Sequence, residues 1–374
     1  MLFVGQVLNG IPFGTISVVG LSYASEIAPL TLRQFLTSYV MLCWAMGQLI
    51  TAGILKGLLS NTTEWGYRLP FAIQWCWLPP LFIATWFVPD SPYWLVRKGK
   101  SEQALETIKR LTSPRIHHQA SQKLNFIVYT HELEETSQKW GKYLQCFRGS
   151  DFRRTEIAGM VMAGQVLGGN NLMYSASYFF SQVGLDSETT YNLNLAITAL
   201  ACLGTVTLWW ISSMVGRRRI YLVGISAMTL FLLLTGILQT PAKDNPDVSW
   251  GQVGCVFGWV AAYVLSVSPI AYTITGEISS TNLRSQTIAI GRIWYNICQL
   301  VSQIINPYFI NPTKLNLKGK TAYIWFGTSL LVTIWAYFRL PETKGRTYEE
   351  LDRMFALKVP ARQFKRFHIK RDEI

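Results

Sequence analysis

The chain has 374 residues, half of them apolar and only 15% charged, with a mean hydropathy of +0.21. A soluble domain carries about 25% charged residues, so this composition excludes an ordinary water-solvated globule and points to lipid as the solvent. The net charge of +13 raises the question of a nucleic-acid partner only until the cations are located along the chain.

Taken in chain order, apolar runs near the roughly 20 residues needed to cross a hydrocarbon core of about 30 Å lie at 2–23, 36–57, 71–88, 156–180, 189–213, 219–240, 250–276, 285–309 and 321–340. Pro and Gly inside them are tolerated in spanning helices. The expectation is an all-α membrane protein of about nine transmembrane helices. Three fall in a first unit, 1–88, and six in 156–340. A connector at 89–155 separates the two units, and a tail follows at 341–374. Within the connector, Leu105, Ile108 and Leu111 are spaced as one face of a helix over 101–112, which predicts a surface helix. Met1 leads directly into the first run, so no signal peptide is expected.

Lys and Arg fix the direction of threading. The connector, the tail and the loops on the same side hold 27 of the 34 cations. That side is read as cytoplasmic, which accounts for the basic charge without nucleic acid. Asn61-Thr62-Thr63, a glycosylation acceptor triplet, then falls outside. The six cysteines are scattered, with no CxxC pair or His-rich cluster. Neither a zinc site nor a disulfide framework follows.

The chain repeats itself. Glu26-Ile27 … Leu32-Arg33 returns as Glu277-Ile278 … Leu283-Arg284, and Pro89-Asp90-Ser91 returns as Pro341-Glu342-Thr343. Both recurrences fall about 250 residues apart, as in the parallel repeats of some transporters. Shifting the helices of 156–240 back by that offset puts their partners before residue 1. The reading is a chain lacking three preceding spans; a true nine-helix protein stays open.

Leu8-Asn9-Gly10 … Gly14 … Tyr23 … Glu26 … Arg33, Pro89-Asp90-Ser91-Pro92, Gly216-Arg217-Arg218 and Pro341-Glu342-Thr343-Lys344-Gly345 together resemble the signatures of major-facilitator sugar porters. Ser268-Pro269-Ile270-Ala271-Tyr272-Thr273 and Leu42-Cys43-Trp44 are most similar to fungal α-glucoside (maltose-type) permeases. The resemblance implies a helical bundle corresponding to helices 4–12 of twelve. It also implies a plasma-membrane location, a sugar substrate and a proton as coupling ion. Ser213, Tyr93, Tyr272 and Met41 stand where the family has an acid, an arginine, a tryptophan and a glutamine, so glucose specificity does not carry over.

The charged motifs Glu26 with Arg33, Glu277 with Arg284, and Arg217, Arg218 and Glu342 sit at helix ends on the basic side. There a carboxylate and a guanidinium can pair in partly desolvated surroundings. The expected role is a latch between the two units, with plain membrane anchoring as the alternative. In the run at 285–309, Arg292, Asn296, Gln299 and Gln303 form one helical stripe. Arg292 is a coupling candidate if it faces a polar cavity and an anchor if it snorkels to the interface.

Gln165, Asn170, Asn171 and Tyr174 supply the amides and aromatic ring that a many-hydroxyl, uncharged ligand needs; bonding between helices is the other reading. The resemblance matches Gln165, Asn170 and Tyr174 to sugar ligands and gives Tyr272 the aromatic position. With Asn296 and Gln299 these residues complete the candidate substrate site. No catalytic or metal-ligating constellation stands out, and no cofactor is expected. Proton-coupled α-glucoside uptake leads; a membrane sugar sensor and an inactive permease fragment are the alternatives.

Overall fold

The computed structural model describes residues 2–28, 32–59, 63–136, 142–174, 186–240, 246–280, 283–311, 314–315 and 317–364. Asn61 lies outside them, as do the side chains of Arg33 and Tyr174. Every regular element among the described residues is helical.

α1 (Leu2–Ile27) and α2 (Arg33–Gly57) are single helices of 26 and 25 residues, about 38 Å long at 1.5 Å per residue. The run at 71–88 is not one helix. It folds as α3 (Trp65–Ile73), a 3₁₀ turn at Gln74–Trp77 and α4 (Leu78–Phe87). Pro79 and Pro80 supply no N–H to carbonyls in the preceding turn, so the α ladder is interrupted there.

In the connector, α5 (Pro92–Arg97), α6 (Ser101–Leu111) and α7 (Ala120–Thr136) pack around Leu95, Val96, Ala104, Ile108 and Ile127. The expected face of α6 is rotated. Ala104 and Ile108 are buried while Leu111 is exposed, because Ala104 lets the helix approach its neighbours closely.

After the short α8 (Lys142–Gln145) come α9 (Gly149–Leu167) and α10 (Asn170–Tyr174). They are followed by α11 (Ser187–Met214), α12 (Arg217–Leu238) and α13 (Pro246–Ala262). A π-helical turn at Tyr263–Val267 joins α13 to α14 (Ser268–Ile278). α15 (Arg284–Ile310) and α16 (Thr321–Arg339) complete the bundle. Pro269 has no N–H for the carbonyl of Leu265, which favours the wider π turn at that point. α9 is central to its unit, packed by α14, α15 and α16. α2 packs on α11 and α14, joining the first unit to the second.

Among the described residues, six helices are long and apolar enough to cross a membrane: Val4–Ala24, Ser38–Gly57, Ser187–Met214, Arg217–Leu238, Trp250–Ile278 and Thr321–Arg339. Of the other three expected spans, one is broken at the prolines, one is interrupted after Leu167, and α15 is long enough but polar.

The tail holds α17 (Tyr348–Ala356), opened by a capping box in which Thr347 Oγ1 accepts from the Glu350 N–H. Leu351, Met354, Phe355 and Phe364 bury into the main core. Arg154, itself buried, clamps this helix by donating to Asp352, with its guanidinium 4.5 Å from the Phe355 ring centre. Asp151, in the first turn of α9, lies 3.7 Å from Arg154.

Burial holds the Asp151 carboxyl above its ordinary value. The Arg154 charge lowers it by less, and Asp352 pushes it further up. A carboxyl held up favours its protonated form in the fold. Its contribution to stability is therefore full below the ordinary value of 3.8 and is lost as pH rises through the folded value. Asp151→Asn cannot ionise, so at pH 7 its thermal midpoint in detergent should exceed that of the unchanged chain, with the gap closing near about pH 4. An equal or lower midpoint at pH 7 contradicts this.

Candidate functional site: a polar cavity and a charged ring

α9 stops at Leu167 because Gly168-Gly169 follows. Gly169 takes φ +94°, a conformation that only glycine adopts without strain. The break frees the Gly168 carbonyl, which accepts from Trp259 Nε1 at 3.0 Å. The Trp259 ring stacks on Tyr263 at 5.1 Å between centres and 18° between planes. Tyr263 O–H in turn donates to Gln165 Oε1 at 3.1 Å. A helix break, two stacked rings and an amide thus form one rigid wall.

That wall borders an open cavity of about 1040 Å³, lined also by Trp44 and Gln48 of α2, Trp77 and Asn194. Asn170 lines it, is buried, and has no partner for its Nδ2. A buried donor left unpaired costs about 1–3 kcal/mol, which a ligand hydroxyl or carbonyl would recover.

The break turns the next residue the other way. Asn171 Oδ1 accepts from Gln299 Nε2 at 2.8 Å, and its carbonyl accepts from Asn306 Nδ2 at 3.2 Å. Asn306 Oδ1 takes Trp325 N–H at 3.3 Å. Asn171 and Gln299 are therefore bonded to each other, tying α10 to α15. Asn296 is exposed on α15, away from the cavity lining. Arg292 does not snorkel. It is 5% exposed, donates to the Tyr272 hydroxyl oxygen at 2.6 Å and lies 4.6 Å from the Tyr295 ring centre. Tyr272 is thereby held by Arg292. Met41, where the resemblance has glutamine, packs among apolar side chains beside it.

At the basic end the latch candidates form two separate clusters, one around Glu26 and one around Glu277, and the pairs among the described residues stay within each cluster rather than bridging the two units as expected. Glu277, 7% exposed, accepts from Arg217 at 3.2 Å and from Thr343 Oγ1 at 2.5 Å. Its salt bridge among the described residues is to Arg217, whereas the sequence motif suggested Arg284. Arg284 instead lies 3.9 Å from the Tyr348 ring centre, because α17 brings that ring under the guanidinium.

Glu342 accepts from the Arg217 backbone N–H at 2.8 Å. A Cβ on Gly216 would fall 2.1 Å from its Oε2, so a side chain there would displace the Glu342 carboxylate. Arg218 donates to the Tyr337 carbonyl at 2.7 Å. Glu26 accepts from Ser91 Oγ at 2.6 Å. Ser91 on Glu26 and Thr343 on Glu277 are the same contact made twice, at the spacing of the sequence repeat.

Sequence reasoning missed Trp259, Tyr263 and the tail clamp. The signals were present. Trp259 and Tyr263 are spaced i, i+4, and Thr347 with Glu350 is a capping pattern ahead of the apolar face Leu351, Met354, Phe355.

The model of the family described as "Sugar (and other) transporter" matches residues 1–355. The chain belongs to the sugar (and other) transporter family. Among this family's curated members, a maltose permease of Saccharomyces cerevisiae is 36% identical over 371 residues, covering 98% of this chain and 60% of the permease. A general α-glucoside permease of the same yeast is 35% identical over 370 residues, covering 97% and 60%. The chain thus spans about 60% of the length of these relatives.

Among solved structures, the proton:xylose symporter XylE bound to 6-bromo-6-deoxy-D-glucose superposes with a TM-score of 0.78 at 22% identity, covering 91% of this chain and 70% of that one. A partially occluded inward-open form of the xylose transporter XylE from E. coli gives 0.66 at 21% identity, covering 87% and 68%. The fold of this sugar-transporter family member is the major-facilitator helical bundle, and the protein is a multi-pass membrane protein.

Breaking a buried ion pair by removing one partner costs about 3–5 kcal/mol. Glu277→Gln and Arg217→Gln should each lower stability in detergent by that order, and the double variant by less than the sum. Additive losses would show that the two side chains are not coupled.

Proposed function

We propose that the protein carries α-glucosides such as maltose across the plasma membrane by alternating access, coupled to protons, with its basic end and tail in the cytoplasm. The observation that carries this reading is the cavity wall of Asn170, Trp259 and Tyr263, with the Gln165 amide bonded to the Tyr263 hydroxyl. It offers amide donors and acceptors beside two stacked rings and no formal charge. Sugars present many hydroxyls and apolar ring faces, and that combination suits such a wall. Likeness to yeast maltose and α-glucoside permeases supports the α-glucoside class, and likeness to a proton:xylose symporter supports the proton.

In this reading 1–88 and 156–340 are the rocking units and 89–155 joins them. Glu277, Arg217 and Thr343 all lie on the second unit and its tail, where they hold that unit's basic end together while the opposite end is open. Arg292, a permanent cation held by tyrosines, is the coupling candidate. Asn170, Gln165 and Tyr263 are assigned to the sugar, and Asn171 and Gln299 to the scaffold behind it.

Trp44, Trp77 and Trp259 line the cavity, so tryptophan fluorescence of the purified chain reports on it. Titration with maltose should give a saturable change. Asn170→Ala should weaken binding by about tenfold, the worth of one good hydrogen bond. No saturable change, or an unaffected Asn170→Ala, removes the sugar site. Radiolabelled maltose uptake into permease-null cells should collapse with a protonophore; uptake indifferent to the gradient removes proton coupling.

A further inference from the structure

A second cavity, of about 970 Å³, opens at the basic end between the start of α12, the end of α16 and the tail. Four cations line it, Arg218, Arg219, Lys344 and Arg362, against the single carboxylate of Glu342. That carboxylate is already engaged by the backbone N–H groups of Arg217 and Lys344. The Arg362 guanidinium lies 4.5 Å from the Tyr337 ring centre and 4.9 Å from that of Phe338, which fixes it in place without neutralising it. Arg218 spends one N–H on the Tyr337 carbonyl, and its buried Nε has no partner. The start of the 22-residue α12 adds the partial positive charge of a helix N-terminus.

The same cavity has an apolar side. Met214 and Val223 line it and are 83% and 66% exposed. α12 and α16 are both among the helices able to cross a membrane, so the cavity lies where they leave the hydrocarbon. Free phosphate would match the cations but leave the exposed apolar shelf unexplained. Orientation by positive charge would need no concave surface.

We propose that this cavity binds the headgroup of an anionic phospholipid. The phosphate sits among Arg218, Arg219 and Arg362, where guanidinium forks match its oxygens, and the acyl chains lie along Met214 and Val223. Basic pockets between spanning helices hold such headgroups on general electrostatic grounds. Occupancy ties α12, α16 and the tail together at the edge of the charged ring.

The test uses the full chain purified in detergent, with binding of dioctanoyl-phosphatidylinositol, dioctanoyl-phosphatidylcholine and inorganic phosphate read by thermophoresis. The anionic lipid should bind at least about tenfold tighter than phosphatidylcholine. Arg219→Gln with Arg362→Gln should remove about tenfold or more of that affinity, each cation being worth about 1 kcal/mol. Arg219 and Val223 are exposed, so Arg219→Gln and Val223→Gln carry the test if the double variant does not fold. Equal affinity for phosphatidylcholine overturns the proposal, as do unchanged binding in the variants and complete competition by inorganic phosphate at equal concentration.

Discussion

One buried carboxylate organises the basic end of this bundle. Glu277, at the foot of α14, is shielded from water and takes its compensation from two directions, Arg217 opening α12 and Thr343 beyond α16. A carboxylate without partners in that position would be costly, by several kcal/mol, so the three helix ends can separate only if its partners are replaced. Gly216 belongs to the same arrangement, since a side chain there would crowd the Glu342 carboxylate where it takes the first N–H of α12. The tail adds to the closure. Tyr348 lies under Arg284, and Arg154 holds Asp352. The residues that gave the sequence its family signature are thus also the residues that hold the basic end together.

The cavity depends on a different device, a deliberate fault in a helix. Gly168-Gly169 stops α9, and the freed carbonyl is caught by Trp259. Of the two successive asparagines, Asn170 lines the cavity and Asn171 joins a fixed network with α15. The π turn after α13 sets the ring of Tyr263 against Trp259 and its hydroxyl on Gln165. Rigidity comes from bonds that are satisfied, and the buried Asn170 Nδ2, at the edge of the cavity, is left without a partner. In the transport reading, the latch at one end and the wall in the middle are coupled because α14 contributes Glu277 to the first while continuing from the turn that carries Tyr263.

Much of the architecture was legible because lipid imposes length and apolarity on whole segments, and six of the nine expected spans satisfy both in the fold. The charged motifs were also legible, and the Glu26 and Glu277 contacts recur at the repeat spacing. Partner choice within them was not. Arg284 and Arg217 are equally good guanidinium donors in a sequence, and only the docking of α17, a long-range event, gives one the tyrosine ring and the other the carboxylate. The same limit applies along α15. Arg292, Asn296 and Gln299 share a helical stripe, yet one is buried against Tyr272, one is exposed and one bonds to Asn171, because neighbouring helices cover the stripe unevenly. Trp259 and Tyr263 went unseen because aromatic residues in an apolar run look the same whether they pack or line a cavity.

Cys43 lines the cavity and gives the most direct test of whether the Glu277 ring, by holding the ends of α12, α14 and α16 together, keeps the cavity closed to the basic side. With Cys43 as the sole remaining cysteine, a membrane-impermeant maleimide is applied to sealed vesicles from the basic side. The unchanged ring predicts no labelling from that side, and Glu277→Gln predicts labelling. Labelling with the ring intact, or none after Glu277→Gln, would contradict the account.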